Sequence, residues 1–193
     1  MKLDSHFWSN KYKLHQTGWD IGYASPSIIS YFNQLDNKDL KILIPGCGNA
    51  YEAILLFESG FKNVYILDFV KETLNKFEER QPNFPKSQIL YEDFFSLHDQ
   101  FDIIVEQTFF CALLPNQRKE YVSKMKSLLK SGGKLVGLFF DNDFEKTGPP
   151  FGGNKKEYLT LFSSSFKIKT LEKCYNSIPP RMGNELFFIF EDN

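Results

Sequence analysis

The sequence predicts an α/β fold: a seven-stranded, mostly parallel sheet with helices on both faces and an antiparallel hairpin at its C-terminal edge. Three observations lead there. Short apolar runs of strand length alternate with longer amphipathic stretches along most of the chain. A glycine turn, Gly46-Cys47-Gly48, closes the first of these runs and opens an amphipathic segment. The last two runs are joined only through Asn176 to Gly183, with no helical segment between them.

The elements follow in order. An N-terminal section from Phe7 to Leu35 reads as helical in pieces, including a helix at 26–35. Ile42 to Ile44 form the centre of a buried strand at 41–45. Gly46 and Gly48 then permit a tight turn and the close approach of a ligand to the backbone. Ala53, Ile54, Leu56 and Phe57 mark a helix at 49–59 that stops at Gly60. A second strand at 63–68 ends on Asp68, twenty residues past Gly48. Further helices are expected at 71–80, 116–130 and 154–162, and further strands at 87–91, 101–106, 133–140, 166–174 and 185–190. Five strands separated by helical segments require crossovers, and crossovers cover both faces of a parallel sheet. The final two strands pair as the edge hairpin. A single domain over residues 1–193 is expected, with residues 1–35 as an N-terminal helical lid.

Composition narrows the class of function. The chain of 193 residues can bury a substantial core. A net charge of −1, with lysines scattered along helix faces, offers no clustered basic surface for nucleic acid. No apolar run reaches the length of a membrane span, and the start, Met1-Lys2-Leu3-Asp4-Ser5-His6, lacks the apolar core of a signal peptide. Cys47, Cys111 and Cys174 are an odd number and far apart, so neither a disulfide framework nor a metal site is indicated. A reducing cytoplasm is expected, with the protein a monomer or weak homodimer. The 21 phenylalanines exceed what a sheet core needs, so some are expected to line a pocket.

The strand, glycine turn, helix, strand, acid unit suits a nucleotide-like ligand whose ribose diol is held by Asp68. The dinucleotide fingerprint wants a third glycine where Tyr51 stands. Its loss disfavours a pyrophosphate and favours a phosphate-free cofactor such as S-adenosylmethionine. A nicotinamide-dependent reductase is also opposed by the lack of a Tyr-x-x-x-Lys pair. After the third strand, Tyr91-Glu92-Asp93-Phe94-Phe95 offers either an adenine site or a loop acid beside core phenylalanines. Gln107 to Ala112 follow the fourth strand, at the carboxyl edge where open α/β sheets bind ligands. Trp8 and Tyr12 sit one helical turn apart, and with Trp19 they could face a sulfonium cation or simply pack the N-terminal helix down. His6, His15 and His98 all lie in polar surroundings, so none reads as a catalytic base. Cys47 and Cys111 read as small packing residues.

Several motifs occur together in order: Phe7-Trp8, Trp19-Asp20-Ile21-Gly22, Pro45-Gly46-Cys47-Gly48, Thr108-Phe109-Phe110-Cys111-Ala112, Gly148-Pro149-Pro150-Phe151 and Ser177-Ile178-Pro179-Pro180-Arg181. Through them nearly the whole chain resembles the thiopurine methyltransferase-like family, and within it the halide, thiocyanate and thiol methyltransferases. The resemblance implies a class I methyltransferase (Rossmann-like) fold. It also implies S-adenosyl-L-methionine as donor, S-adenosyl-L-homocysteine as product and a small soft nucleophile as acceptor. Carried over motif by motif, Trp8, Tyr12 and Trp19 lie against the donor, and Gly46 runs under its methionine portion. Asp68 holds the ribose, Asp93 and Phe94 frame the adenine, and Gln107 completes the cofactor set. Gln107 stands where plant members have tyrosine, Tyr12 where they have tryptophan, and Glu106 where aspartate is usual. Trp19, Phe109, Phe110 and Phe151 are expected to enclose the acceptor. Asp20 either orders the lid or binds a thiol proton, and Arg181 either attracts an anion or is structural. Thiopurines or aryl thiols are the alternative acceptors. A catalytically silent domain that binds donor or product is the alternative outside enzymes.

Overall fold

The computed structural model describes residues 2–145 and 147–192; residues 1, 146 and 193 of the predicted domain lie outside them. The elements run in the order α1 (Ser5–Lys13), α2 (Pro26–Phe32), β1 (Lys41–Pro45), α3 (Tyr51–Glu58), β2 (Asn63–Asp68), α4 (Lys71–Arg80) and β3 (Ile89–Tyr91). They continue with β4 (Phe101–Gln107), α5 (Arg118–Ser127), β5 (Leu129–Phe140), α6 (Lys155–Phe162), β6 (Phe166–Lys173) and β7 (Glu185–Asp192). The seven strands form one sheet in the order β3-β2-β1-β4-β5-β7-β6. Neighbours among β1 to β5 pair in parallel, whereas β7 runs antiparallel to both β5 and β6. The predicted fold class and edge hairpin are those observed.

Strand periodicity divides the core between two faces. Ile42, Ile44, Ile66, Ile103 and Val105 point to the face covered by α2, α3 and α4, where they meet Ile28, Phe32, Ala53, Leu56, Leu74 and Phe77. Leu43, Leu67, Ile104 and Leu135 point the other way, toward α5 and α6. That second face absorbs much of the phenylalanine. Phe139 stacks on Phe188 with centroids 4.0 Å apart and on Tyr158 at 4.5 Å.

Several element ends shift by one to three residues from the sequence reading, and three differences have a clear local reason. Pro85 leads Lys86–Gln88 into a 3-10 turn, which shortens the third strand to Ile89–Tyr91. The fifth strand starts earlier, at Leu129, because Leu129 pairs with Phe101 across a register shift before the regular ladder resumes at Ile103. The expected lid of residues 1–35 also divides. Ser27, Ile28, Tyr31 and Phe32 of α2 are buried in the core, whereas α1 has no fully buried residue. Helix α1 starts at Asp4, whose carboxylate accepts the Phe7 N–H at 3.0 Å, and leans on α4 through Ser9 and Lys13, both paired with Glu72. Only the segment up to Tyr23 lies over the cleft side without a core of its own. Among the described residues, no helix is long and apolar enough to cross a membrane.

Candidate active site

The site is built at the carboxyl ends of β1, β2 and β4. After β1 the chain turns through Gly46 (φ +58°) and Gly48 (φ +51°), both left-handed, as the two glycines permit. A Cβ at Gly46 would collide with the Phe109 ring, and one at Gly48 would come within 2.8 Å of the Tyr12 hydroxyl. Asp68, at the tip of β2, holds this turn. Its Oδ2 accepts the Gly48 N–H at 3.0 Å and its Oδ1 accepts the Val70 N–H at 2.9 Å. Burial pushes its carboxyl above the usual range, and these backbone donors pull it back. A carboxylate has about four acceptor positions, so Asp68 retains capacity on the side facing the cleft it lines.

Glu106 does the same work at the end of β4. It is fully buried, and its Oε1 accepts the N–H groups of Phe109 at 2.8 Å and Phe110 at 2.9 Å. Its other oxygen accepts the Tyr121 hydroxyl. Burial raises the carboxyl to about 7, with the Tyr121 and backbone donors opposing the rise. The loop so held includes Thr108 at φ +58°, a strained conformation for a β-branched residue.

These loops and the N-terminal segment enclose a cleft of about 1050 Å³, counting space continuous with solvent. Trp8, Tyr12, Trp19, Gly46, Asp68, Asp93, Phe94 and Phe109 all line it. Trp8 and Tyr12 meet the Trp19 ring edge-on at 5.3 and 5.7 Å, so the shared face expected on the helix is used. Burial, with the nearby Asp68 charge, pushes the Tyr12 hydroxyl far up and keeps it neutral. A smaller recess on the other side of Trp19 and Gly46 is lined by Asp20, Asn49, Gln107 and Thr108. The Gln107 Oε1 is buried there with no hydrogen-bond partner. Asp20 accepts from Asn49 Nδ2 at 2.5 Å, from the Gly22 N–H at 2.8 Å and from Tyr51 Oη at 3.4 Å. Among the described residues, no group of histidine, cysteine and acidic side chains could hold a metal ion.

The chain matches the family model described as Thiopurine S-methyltransferase (TPMT) over residues 3–191. It belongs to the thiopurine S-methyltransferase family. A probable thiol methyltransferase 2 of Arabidopsis thaliana is 30% identical over 92% of this chain and 81% of the plant protein. A thiopurine S-methyltransferase of Vibrio parahaemolyticus is 27% identical over 87% of this chain and 85% of its own. Among solved structures, a Burkholderia thailandensis 1,6-didemethyltoxoflavin-N1-methyltransferase with bound 1,6-didemethyltoxoflavin and S-adenosylhomocysteine superposes with a TM-score of 0.79. It has 14% identity and covers 99% of this chain and 88% of that one. A TehB-like S-adenosylmethionine-dependent methyltransferase of Corynebacterium glutamicum gives a TM-score of 0.68 with 17% identity, covering 98% of each chain. The fold is therefore that of the class I methyltransferases.

Three residues expected around the acceptor of this thiopurine methyltransferase family member stand elsewhere. Phe110 is 2% exposed and packs among Tyr121, Phe139 and Tyr158, because the Glu106 anchor turns it inward while Phe109 faces the cleft. Phe151 lines neither cleft; its N–H donates to the Cys111 carbonyl at 2.7 Å. Arg181 is also absent from both linings, its guanidinium being engaged by Trp19 and Glu185. In their place the cleft wall contains Phe69, Glu92, Cys111, Pro149 and Pro150. Phe69 and Glu92 directly follow strand ends, and that position was the signal available in the sequence.

Two outcomes test this geometry. Glu106 holds an extra proton in the folded state between its unfolded value near 4.5 and about 7. Its contribution is therefore full below about pH 4.5 and is lost as the pH rises through 7, at most about 3 kcal/mol. Glu106→Gln can still accept both N–H groups and donate to Tyr121. Urea unfolding at pH 5 and pH 8 should show a smaller loss of stability at the higher pH than in the parent. Phe110→Ala should cost about 3–5 kcal/mol in the same measurement, as a core residue rather than a pocket wall.

Proposed function

We propose that this S-adenosylmethionine-dependent methyltransferase moves the methyl group to a small soft nucleophile: a thiol, hydrosulfide, thiocyanate or halide. One observation carries the reading. The cleft is lined by aromatic rings and carboxylates, and among its described lining residues there is no histidine, lysine or arginine. A wall of that kind suits a cationic donor and offers the acceptor no strong base. The acceptor must therefore arrive as a competent nucleophile, as soft sulfur and halide anions do.

The residues suit the donor part by part. Trp8, Tyr12 and Trp19 line the cleft with aromatic rings of the kind that attracts a sulfonium, and the neutral Tyr12 hydroxyl lies over the glycine turn. Asp68 has acceptor positions left for two ribose hydroxyls. Asp93 and Phe94 line the same cleft after β3, and in this reading they frame the adenine. The unpartnered Gln107 oxygen, with Gly46 beside it, is the kind of acceptor that an α-ammonium group satisfies. The bound donor supplies an electrophilic methyl carbon. The protein's own work is to hold the acceptor in line and keep water out, which Trp19, Phe109 and the Pro149-Pro150 segment are placed to do. The segment up to Tyr23 serves as the lid of a single domain. Asp20, held by three donors, orders that lid rather than binding a thiol proton. The open cleft supports an enzyme over a silent binding module. Free Cys47, Cys111 and Cys174 suit a reducing compartment such as the cytoplasm.

Two measurements follow. S-adenosylhomocysteine at a hundredfold excess over its dissociation constant should stabilise the protein by about 2.7 kcal/mol. Asp68→Ala should abolish most of that shift; equal donor binding by the mutant rules out the ribose role. In an acceptor panel read by S-adenosylhomocysteine release, iodide and sulfur nucleophiles should lead and chloride should trail far behind, since desolvation dominates entry to an apolar site. Oxygen nucleophiles should be negligible. Methylation of carboxylates or catechols without iodide or thiols would overturn the acceptor assignment, and a preference for thiopurines would replace it with the aryl-thiol reading.

A further inference from the structure

Arg181 is almost completely buried, at 9% exposure, on a 3-10 turn between β6 and β7. Its Nη2 donates to the main-chain carbonyl of Trp19 at 2.7 Å, joining residues 162 apart in the chain. Its Nη1 faces Glu185, itself 3% exposed, at 3.4 Å, and its plane lies 5.4 Å from the Phe140 ring centroid. Both arms of the fork are occupied, and Arg181 lines neither cleft. It is therefore in no position to bind an acceptor anion. Trp19, by contrast, lines both the main cleft and the smaller recess, and the rings of Trp8 and Tyr12 rest on it.

We propose that Arg181 is a positioning residue: from the C-terminal hairpin it fixes the Trp19 ring, and through Trp19 the aromatic wall of the site. The next residue, Asp20, has its carboxylate bonded by Asn49 and Tyr51, so the 19–20 segment is tied both to the hairpin and to the chain after the glycine turn. Helix α1 lacks any such buried anchor. Trp19 is then the fixed post against which the rest of the lid closes. A charge-assisted donor with a planar fork is needed for this, because lysine has a single point of donation and cannot hold Glu185 and the carbonyl with the same geometry. The proposal rests on the reading of Trp19 as part of the donor and acceptor site.

Trp19 emission is read in the full chain with Trp8→Phe, which leaves Trp19 as its one tryptophan, and turnover is read in the full chain with Trp8 intact. Arg181→Met combined with Glu185→Gln removes the fork without stranding the Glu185 carboxylate, and Glu52, the other buried acid near Arg181, keeps the Ser25 N–H. Trp19 emission should move to longer wavelength and acrylamide quenching should increase. With saturating donor, kcat should fall on the order of tenfold for iodide and for an uncharged alkyl thiol alike, with KM little changed, as a loss of orientation requires. Arg181→Lys should lie between parent and double variant on both readouts. If the double variant does not fold, Arg181→Lys alone is read the same way, and a loss of kcat with a shift of Trp19 emission sustains the proposal. Unchanged emission with unchanged kcat overturns it, as does a rise in KM confined to iodide, which would mark Arg181 as an anion site. If the parent turns over neither acceptor, the acceptor reading fails separately, and the emission of Trp19 still decides the role of Arg181.

Discussion

The cleft depends on one interaction above the others: a buried carboxylate at a strand tip, holding backbone N–H groups of the loops around it. Asp68 takes one N–H from the turn after β1 and another from the turn after β2, so two loops share one anchor. Burying an ion is costly unless its oxygens are paired, and two main-chain donors offset part of that penalty. Glu106 repeats the device after β4, with Tyr121 as its third donor. The strained Thr108 backbone, worth roughly 1–2 kcal/mol, persists because Glu106 fixes the two amides that follow it. These loops are thus shaped before any ligand arrives.

The N-terminal segment is built by different rules. Helix α1 buries no residue completely and reaches α4 through half-exposed contacts of Ser9 and Lys13 with Glu72. Such contacts contribute little, because water and salt screen exposed charges. What holds the segment in place is the cluster of Trp8, Tyr12 and Trp19, together with the two tethers at Trp19 and Asp20. In the function proposed above, a rigid cradle and a weakly attached cover suit methyl transfer, since the reacting carbon must be shielded during the step and exposed before and after it.

Much of this was legible in the residues. The apolar run Ile42 to Ile44, the glycine turn and the distance to Asp68 are local signals, and each names its element. The edge hairpin followed from a missing crossover. Side-chain direction within loops was not legible. Phe109 and Phe110 are adjacent and alike, yet one faces the cleft and the other the core, because they are successive residues entering the 3-10 turn that Glu106 fixes by its bonds to both amides. Nor does any local pattern reveal that Arg181 would meet the carbonyl of Trp19, a contact that exists only once β7 inserts between β5 and β6. Helix α2 reads as a continuation of the lid until its burial against β1 and α3 is seen.

The central claim is a preformed cradle beneath a lightly held aromatic cover, and amide hydrogen exchange with and without S-adenosylhomocysteine tests it most directly. The Gly48 and Val70 amides, bonded to Asp68, and those of Phe109 and Phe110, bonded to Glu106, should already exchange slowly in the free protein. Amides of Ser5–Lys13 should exchange fast when free and slow by at least tenfold when the ligand binds. Equal protection of that helix in both states, or slowing confined to the Asp68 and Glu106 loops, would contradict the account.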